Sequence, residues 1–180
     1  MENKRVSISP TTRRWRAAAM VFTLPLFVVM FASAARAQVS AQAAFEKIKA
    51  LEGVWVGKTA TGQEIKTSFR VTSGGSAVMQ SIGEGIEEMP TLFHMDNDRL
   101  MVTHYCAANN QPRMVLATAE SSETILQFRF LDATNLRSPE TGHMRDVAFR
   151  FLAPDRLSQE WTYRESGKDT SEAFDVVRRK

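Results

Sequence analysis

Cysteine is almost absent from the chain, whose 180 residues include only Cys106. A single cysteine cannot form an intramolecular disulfide, so the fold depends on its hydrophobic core. The three histidines, His94, His104 and His143, show no metal-ligand spacing. The segment Asp96-Asn97-Asp98 lacks the glycine and the distal glutamate of a calcium loop. We therefore predict no metal site and no cofactor.

An excess of positive charge is also missing once the first 37 residues are set aside. The whole chain has a formal net charge of +3, from 23 basic and 20 acidic residues. Residues 38–180 contain 17 of the basic and 19 of the acidic residues, which gives −2. Because no basic field remains, the sequence gives no support for a nucleic-acid partner.

The first 37 residues have the pattern of a secretory signal peptide. The segment 1–16 is basic, 17–34 is apolar and uncharged, and Ala35-Arg36-Ala37 is a small-x-small cleavage signal before Gln38. We predict cleavage after Ala37, a periplasmic or secreted protein, and no membrane span in the mature form. An uncleaved anchor is the alternative, because the apolar run approaches the ~17–25 residues that span a bilayer. Whether export uses the general or the twin-arginine route stays open.

After the leader, the periodicity of apolar residues changes once. Phe45, Ile48 and Leu51 lie at helical spacing and predict a short amphipathic helix over 41–51. From Gly53 onward the period is two, which is typical of strands. We therefore divide the chain into a signal peptide (1–37), a short helix and linker (38–52) and a β-domain (53–180).

Turn residues divide the β-domain into ten predicted strands. The short links leave no room for crossover helices, so neighbouring strands are antiparallel. A meander of this length protects its edges best by closing on itself. We predict an all-β, ten-stranded, up-and-down barrel with one short helix at its end. The predicted strands are 53–59, 63–71, 76–82, 90–95, 99–106, 112–119, 124–131, 143–152, 156–164 and 168–178.

Turn lengths assign side chains to the inner face of the barrel. A two-residue Ser166-Gly167 turn pairs Glu165 with Lys168, which brings the apolar residues of both strands to one face. A three-residue link at 153–155 then places Arg145 opposite Tyr163, facing inward. The predicted ligand-binding residues on the inner face are Arg145, Tyr163, Gln159, Trp161, Glu172, Phe149 and His104.

Two interpretations of the inward polar residues stay open. An inward arginine must be paired, and Arg145, Tyr163 and Glu172 can satisfy one another as a buried network. Alternatively, the same group anchors the carboxylate or carbonyl of a ligand in a mostly apolar cavity. The second interpretation predicts a binding barrel for a small apolar or amphipathic molecule, including an anionic one.

Two other classes of function are also compatible with this sequence. An enzyme would use Arg145 with Tyr163, or His104 with Cys106. The latter two residues lie about 6–7 Å apart along one strand, which is too far for direct contact, and we predict no catalytic residue. A structural envelope domain would have a filled interior. The sequence leaves the oligomeric state undetermined.

The opening of the β-domain resembles that of calycin-type barrels. Leu51-x-Gly53-x-Trp55-x-Gly57 is similar to the Gly-x-Trp of lipocalins and to the Gly-x-Trp-x-Gly of nitrobindin-like haem barrels. The resemblance implies that the tryptophan closes the base of the barrel against an arginine from the end of the domain, here Arg178. This geometry requires Trp55 to face inward, which a three-residue turn at 60–62 would produce.

A second segment, MVTHYCAANNQPRM (101–114), resembles one in uncharacterised secreted bacterial lipocalin-like domains. The last two strands contain no histidine to serve as a haem-proximal ligand, so haem is not implied. An inward arginine and tyrosine are also similar in type to the carboxylate anchor of fatty-acid-binding barrels.

Overall fold

The computed structural model describes residues 38–180, and the predicted signal peptide of residues 1–37 lies outside the described residues. The described chain forms one α-helix followed by ten β-strands. All ten predicted strands are present, with ends that differ by a few residues. The elements are α1 Ala41–Lys49, β1 Gly53–Thr59, β2 Glu64–Thr72, β3 Ala77–Ile82, β4 Met89–Asp96, β5 Arg99–His104, β6 Gln111–Leu116, β7 Ile125–Thr134, β8 His143–Ala153, β9 Arg156–Glu165 and β10 Lys168–Arg178.

The ten strands close into an antiparallel barrel in which each strand pairs with its sequence neighbours and β1 pairs with β10. Closure removes the free edges that an open meander would expose. The barrel predicted from the short links is therefore confirmed. Gly57 allows the closure, because a methyl group there would overlap the backbone carbonyl of Asp175 on β10. In residues 38–180, no helix is long and apolar enough to cross a membrane.

Most of the predicted strand registers are confirmed. Glu165 pairs with Lys168 across a turn in which Ser166 and Gly167 have φ values of 49° and 74°. Positive φ at both central residues is the geometry that suits a two-residue hairpin. Val147 lies opposite Trp161, as the predicted β8–β9 pairing requires.

The inward placement of Arg145 is wrong, because a β-bulge interrupts β8 at this residue. Met144 pairs with Tyr163 and Asp146 pairs with Thr162, which leaves Arg145 without a partner in β9. One extra residue reverses the faces of the residues that precede it. Met144 therefore takes the inner position. Arg145 lies on the outer surface, where its side chain is 34% exposed and contacts the carboxylate of Asp146 at 2.7 Å.

The helix closes one end of the barrel. Phe45 and Ile48 are buried in the same core cluster as the inward residues of the strands. At its start, the Ser40 hydroxyl accepts a hydrogen bond from the Ala43 amide, which satisfies one of the free N–H groups of the first turn. Complete burial of an Ile or Phe side chain contributes about 1.5–3 kcal/mol, so this face holds the helix in place.

Trp55 and Arg178 join the helix to the first and last strands. Trp55 faces inward and lies opposite Arg178 in the β1–β10 pairing. The guanidinium carbon lies 4.3 Å from the centroid of the Trp55 ring. Arg178 also donates to the Ala50 carbonyl at 2.7 Å, and the Trp55 indole donates to the Leu51 carbonyl at 2.8 Å. These bonds satisfy carbonyls at the helix C-terminus and confirm the predicted pairing at the base.

Candidate functional site

A cavity of about 340 Å³ lies at the end of the barrel opposite the helix. We call this the open end; the links there are residues 60–63, 83–88, 105–110, 135–142 and 166–167. Aliphatic, thioether and aromatic side chains form most of the wall. The lining residues are Ile65, Ile82, Met89, His104, Met144, Trp161, Tyr163, Thr170, Glu172 and Phe174.

Below the cavity, aromatic rings fill the barrel. Phe149 is fully buried, and its ring contacts those of Phe69, Phe93 and Phe128 in edge-to-face geometry at centroid distances of 6.4, 5.7 and 6.1 Å. Such contacts add about 0.5–1.5 kcal/mol per pair beyond area burial. The interior is thus filled toward the helix, and the cavity occupies only the open end.

His104 is the most deeply buried polar residue that lines the cavity. Its position on the inner face of β5 follows from the Asn97-Asp98 turn, which pairs it with Thr91. His104 Nδ1 lies 2.8 Å from the Thr91 hydroxyl, and the imidazole packs 4.9 Å from the ring of Trp161. Burial lowers the pKa of His104 to about 4, so the ring is neutral at pH 7. Its Nε2 is buried and has no hydrogen-bond partner in the described chain.

A layer of two buried amides, Gln80 and Gln159, lies beneath the cavity, where the Trp161 ring also contacts Phe149 at a centroid distance of 6.4 Å. Gln80 Nε2 donates to Gln159 Oε1 at 2.7 Å and to the Thr67 hydroxyl at 3.1 Å. Gln159 Oε1 also accepts from the Trp161 indole at 3.2 Å, which fixes the orientation of that ring. Gln80 Oε1 and Gln159 Nε2 remain without partners among the described residues. Gln159 thus supports the cavity floor rather than lining the cavity.

Tyr163 and Glu172 lie at the mouth of the cavity. Burial raises the pKa of Tyr163, and the nearby Glu165 and Cys106 raise it further, so the phenol is a neutral hydrogen-bonding group. Gly142 leaves room for the phenol, because a methyl group at that position would overlap the Tyr163 hydroxyl. Glu172 lies opposite Trp161 on β10 and is exposed to solvent.

The predicted site residues fall into three groups. His104, Trp161, Tyr163 and Glu172 line the cavity, while Gln159 and Phe149 lie beneath it. Arg145 is outside the barrel, so the predicted Arg145–Tyr163–Glu172 network does not form. Sequence reasoning missed other lining residues. Of these, Ile65, Ile82 and Phe174 follow from strand alternation, whereas Met144 faces inward only because of the bulge.

The two proposed catalytic pairs are not assembled. Arg145 and Tyr163 lie on opposite faces of the barrel wall. Cys106 lies in the β5–β6 link, and no hydrogen bond joins it to His104, whose Nδ1 is bound to Thr91. Over residues 38–180, no group of three or more His, Cys, Asp or Glu side chains has an arrangement that can hold a metal ion.

No protein-family model matches the chain, and no curated protein matches it. Among solved structures, it is similar to a protein of unknown function of the DUF3598 family from Nostoc punctiforme, with 13% sequence identity and a TM-score of 0.48. The match covers 74% of this chain but 49% of the other, so this chain spans about half the length of that structure. A similarity of this size carries no statement about function.

Proposed function

We propose that this barrel binds a small, mostly apolar molecule at its open end. The observation that carries the proposal is a cavity of about 340 Å³ with apolar walls and the buried, unpartnered Nε2 of His104 among its lining residues. Small-molecule sites combine apolar walls with a few polar groups in this way. A buried polar atom without a partner costs about 1–3 kcal/mol, and a ligand atom that bonds to it recovers part of that cost.

The tautomer of His104 determines which ligand group its Nε2 would bind. The Thr91 hydroxyl and His104 Nδ1 lie 2.8 Å apart, a contact that either imidazole tautomer allows. We infer the tautomer in which the hydroxyl donates and Nδ1 accepts, and the probes below test it. In the neutral ring, the proton then resides on Nε2. We therefore infer a ligand with an acceptor oxygen, such as a carbonyl or hydroxyl, that accepts from Nε2.

The volume of the cavity limits the size of the ligand. About 340 Å³ equals the liquid volume of roughly eleven water molecules at ~30 Å³ each. It also lies near the lower end of the ~300–1,000 Å³ range of small-molecule sites. A molecule with about a dozen non-hydrogen atoms therefore fits, whereas a long acyl chain has to extend out of the open end.

Calorimetry with two probes tests the proposal. 4-Phenylbutan-2-one and butylbenzene have nearly the same shape, but only the ketone has an acceptor oxygen. We expect the ketone to bind about 3–10-fold more tightly, since a net hydrogen bond contributes about 0.5–1.5 kcal/mol. The double variant Thr91→Val/His104→Phe should abolish this preference while retaining binding of butylbenzene.

His94→Phe is the matched control, because it alters a half-buried histidine of β4 that does not line the cavity. It should leave the preference for the ketone unchanged. If neither probe binds the wild-type protein, the binding proposal is wrong, and a structural domain becomes the better interpretation.

We also propose that the protein acts in the periplasm or outside the cell. The support is the basic segment, the apolar segment and the small-x-small site in residues 1–37. N-terminal sequencing of the exported protein should begin at Gln38. A start at Met1 in a membrane-bound form would support the anchor instead. Native mass spectrometry of the exported protein would also detect a co-purifying small molecule.

A further inference from the structure

The charge on the cavity wall is negative. Among the lining residues, Glu172 is the one acidic side chain, and the lining includes no lysine or arginine. His104 is uncharged at this pH, and Tyr163 is a neutral phenol. The position predicted for a cation is occupied by Met144, a neutral thioether. An anionic ligand would therefore meet no positive partner inside the cavity.

Among the described residues, Glu172 has no ion-pair partner. In residues 38–180, no lysine, arginine or histidine nitrogen lies within 4.0 Å of its carboxylate. The reason is local: β1 ends at Thr59 opposite Phe174, so the β10 segment that contains Glu172 has a paired neighbour only in β9. A groove outside the cavity extends along this gap. Its charged residues are Lys58, Glu64, Lys66, Glu84, Glu87, Glu172 and Arg179.

Among the described residues, the basic side chains of this groove form no ion pair with Glu172. Lys66 forms an ion pair with Glu84 at 2.5 Å, and neither Lys58 nor Arg179 approaches the Glu172 carboxylate within ion-pair distance. The carboxylate is therefore available to a ligand that enters from the open end.

Three aromatic residues are neighbours of Glu172 on the same face of β9 and β10. Trp161 lies directly across from Glu172, and Phe174 follows it on the same face of β10. Tyr163 is diagonal to Glu172, at the distance of about 7–8 Å that separates such neighbours. All three aromatic residues line the cavity. Aromatic faces attract ammonium groups, and the attraction is stronger where water is excluded.

From this arrangement of an unpaired carboxylate among three aromatic rings, we propose that the ligand is an amphipathic cation with an ammonium group. The ammonium lies against Glu172 at the mouth, and the apolar body extends past Trp161 toward His104. This inference rests on the proposed binding function and specifies its ligand class. It replaces the anionic ligand that the misplaced Arg145 suggested.

Three probes of the same length separate the effect of charge from that of shape. 4-Phenylbutylamine is cationic at pH 7, 4-phenylbutan-1-ol is neutral and 4-phenylbutyrate is anionic. We expect calorimetry on the exported protein to give affinities in that order, with the amine about 10-fold tighter than the alcohol. Glu172→Gln should reduce the amine affinity to that of the alcohol and leave the alcohol within about twofold.

Glu64→Gln is the matched control, because Glu64 is an exposed groove acid that does not line the cavity. It should lower the amine affinity by less than about twofold. The melting temperature of each variant checks folding, and Glu172 is exposed, so neither substitution should change it appreciably.

The outcomes separate this inference from the binding proposal. Failure of all three probes to bind overturns both. Equal affinities for the three probes retain the binding cavity and overturn the cationic ligand. A preference for the amine that survives Glu172→Gln but falls in Glu64→Gln assigns the cation to the outer groove and also overturns the inference.

Discussion

Acidification from pH 7 to pH 5 should destabilise the ligand-free protein through His104. Burial lowers the pKa of His104 to about 4, whereas a histidine in the unfolded chain titrates near 6.5. Between these values the unfolded state takes up a proton that the folded state does not. The contribution of the neutral, buried His104 to the free energy of unfolding is therefore complete above pH 6.5 and is lost as the pH falls toward 4.

Linkage gives the size of this effect. A pKa depressed from 6.5 to about 4 corresponds to about 3 kcal/mol in total, of which about 2 kcal/mol is lost between pH 7 and pH 5. For a domain with a total stability of about 5–15 kcal/mol, a loss of that size is readily measured.

Urea unfolding at both pH values, with and without His104, is the appropriate assay. In the Thr91→Val/His104→Phe variant, two bonded polar groups are replaced by apolar groups of similar shape, which is close to neutral for stability. Carboxylates that titrate in this range affect both proteins equally, so the difference between the two pH dependences isolates His104. Parallel losses of stability in the two proteins would refute a buried, neutral His104.

Two further predictions concern the base and the outer wall of the barrel. In a double-mutant cycle with Trp55→Leu and Arg178→Met, chemical denaturation should give a coupling free energy of about 0.5–2 kcal/mol, and zero coupling would show that the ring and the guanidinium do not interact. Arg145→Met should lower stability by less than about 1 kcal/mol, because the side chain is partly exposed and Asp146 keeps a second arginine partner. It should also leave probe binding unchanged, and a loss of binding would place Arg145 inside the cavity after all.

Strand positions could be predicted because two independent signals coincide in this sequence. Turn residues fix where each hairpin reverses, and apolar alternation fixes which face points inward. At Ser166-Gly167 the two signals predict the same register. All ten residue pairs of the β9–β10 ladder have that register, beginning with Glu165 and Lys168. The same logic placed His104 on the inner face of β5, where it lies opposite Thr91. The pairing of Trp55 with Arg178 followed instead from the resemblance to calycin-type barrels.

Contacts across the barrel were not predictable from these signals. Gln80 and Gln159 lie 79 residues apart and meet only because the strands tilt and curve around the barrel axis. Hairpin registers describe neighbouring strands and give no distance between opposite walls. The buried amide layer, the unpartnered His104 Nε2 and the extent of the cavity all depend on such distances.

The bulge at Arg145 could not be predicted from the sequence, for a different reason. Neither Met144 nor Arg145 breaks the alternation strongly enough to show which residue is extra. The structure supplies the missing reason in Asp146. Its buried carboxylate accepts from Arg129 at 3.0 Å, from Arg145 at 2.7 Å and from the backbone amide of Phe130 at 3.4 Å.

These bonds explain why the bulge determines the chemistry of the cavity. Ladder pairing between β7 and β8 ends at Arg129 and Asp146, so the carboxylate replaces the next backbone acceptor for Phe130. Asp146 lies on the outer face because it alternates with the inward Val147, whereas the bulge before it directs Arg145 outward and Met144 inward. Arg145 therefore pairs with Asp146 on the outer surface, and the cavity lining contains no arginine. Glu172 is left as the one acidic side chain of the cavity lining, and the charge of the proposed ligand follows from that.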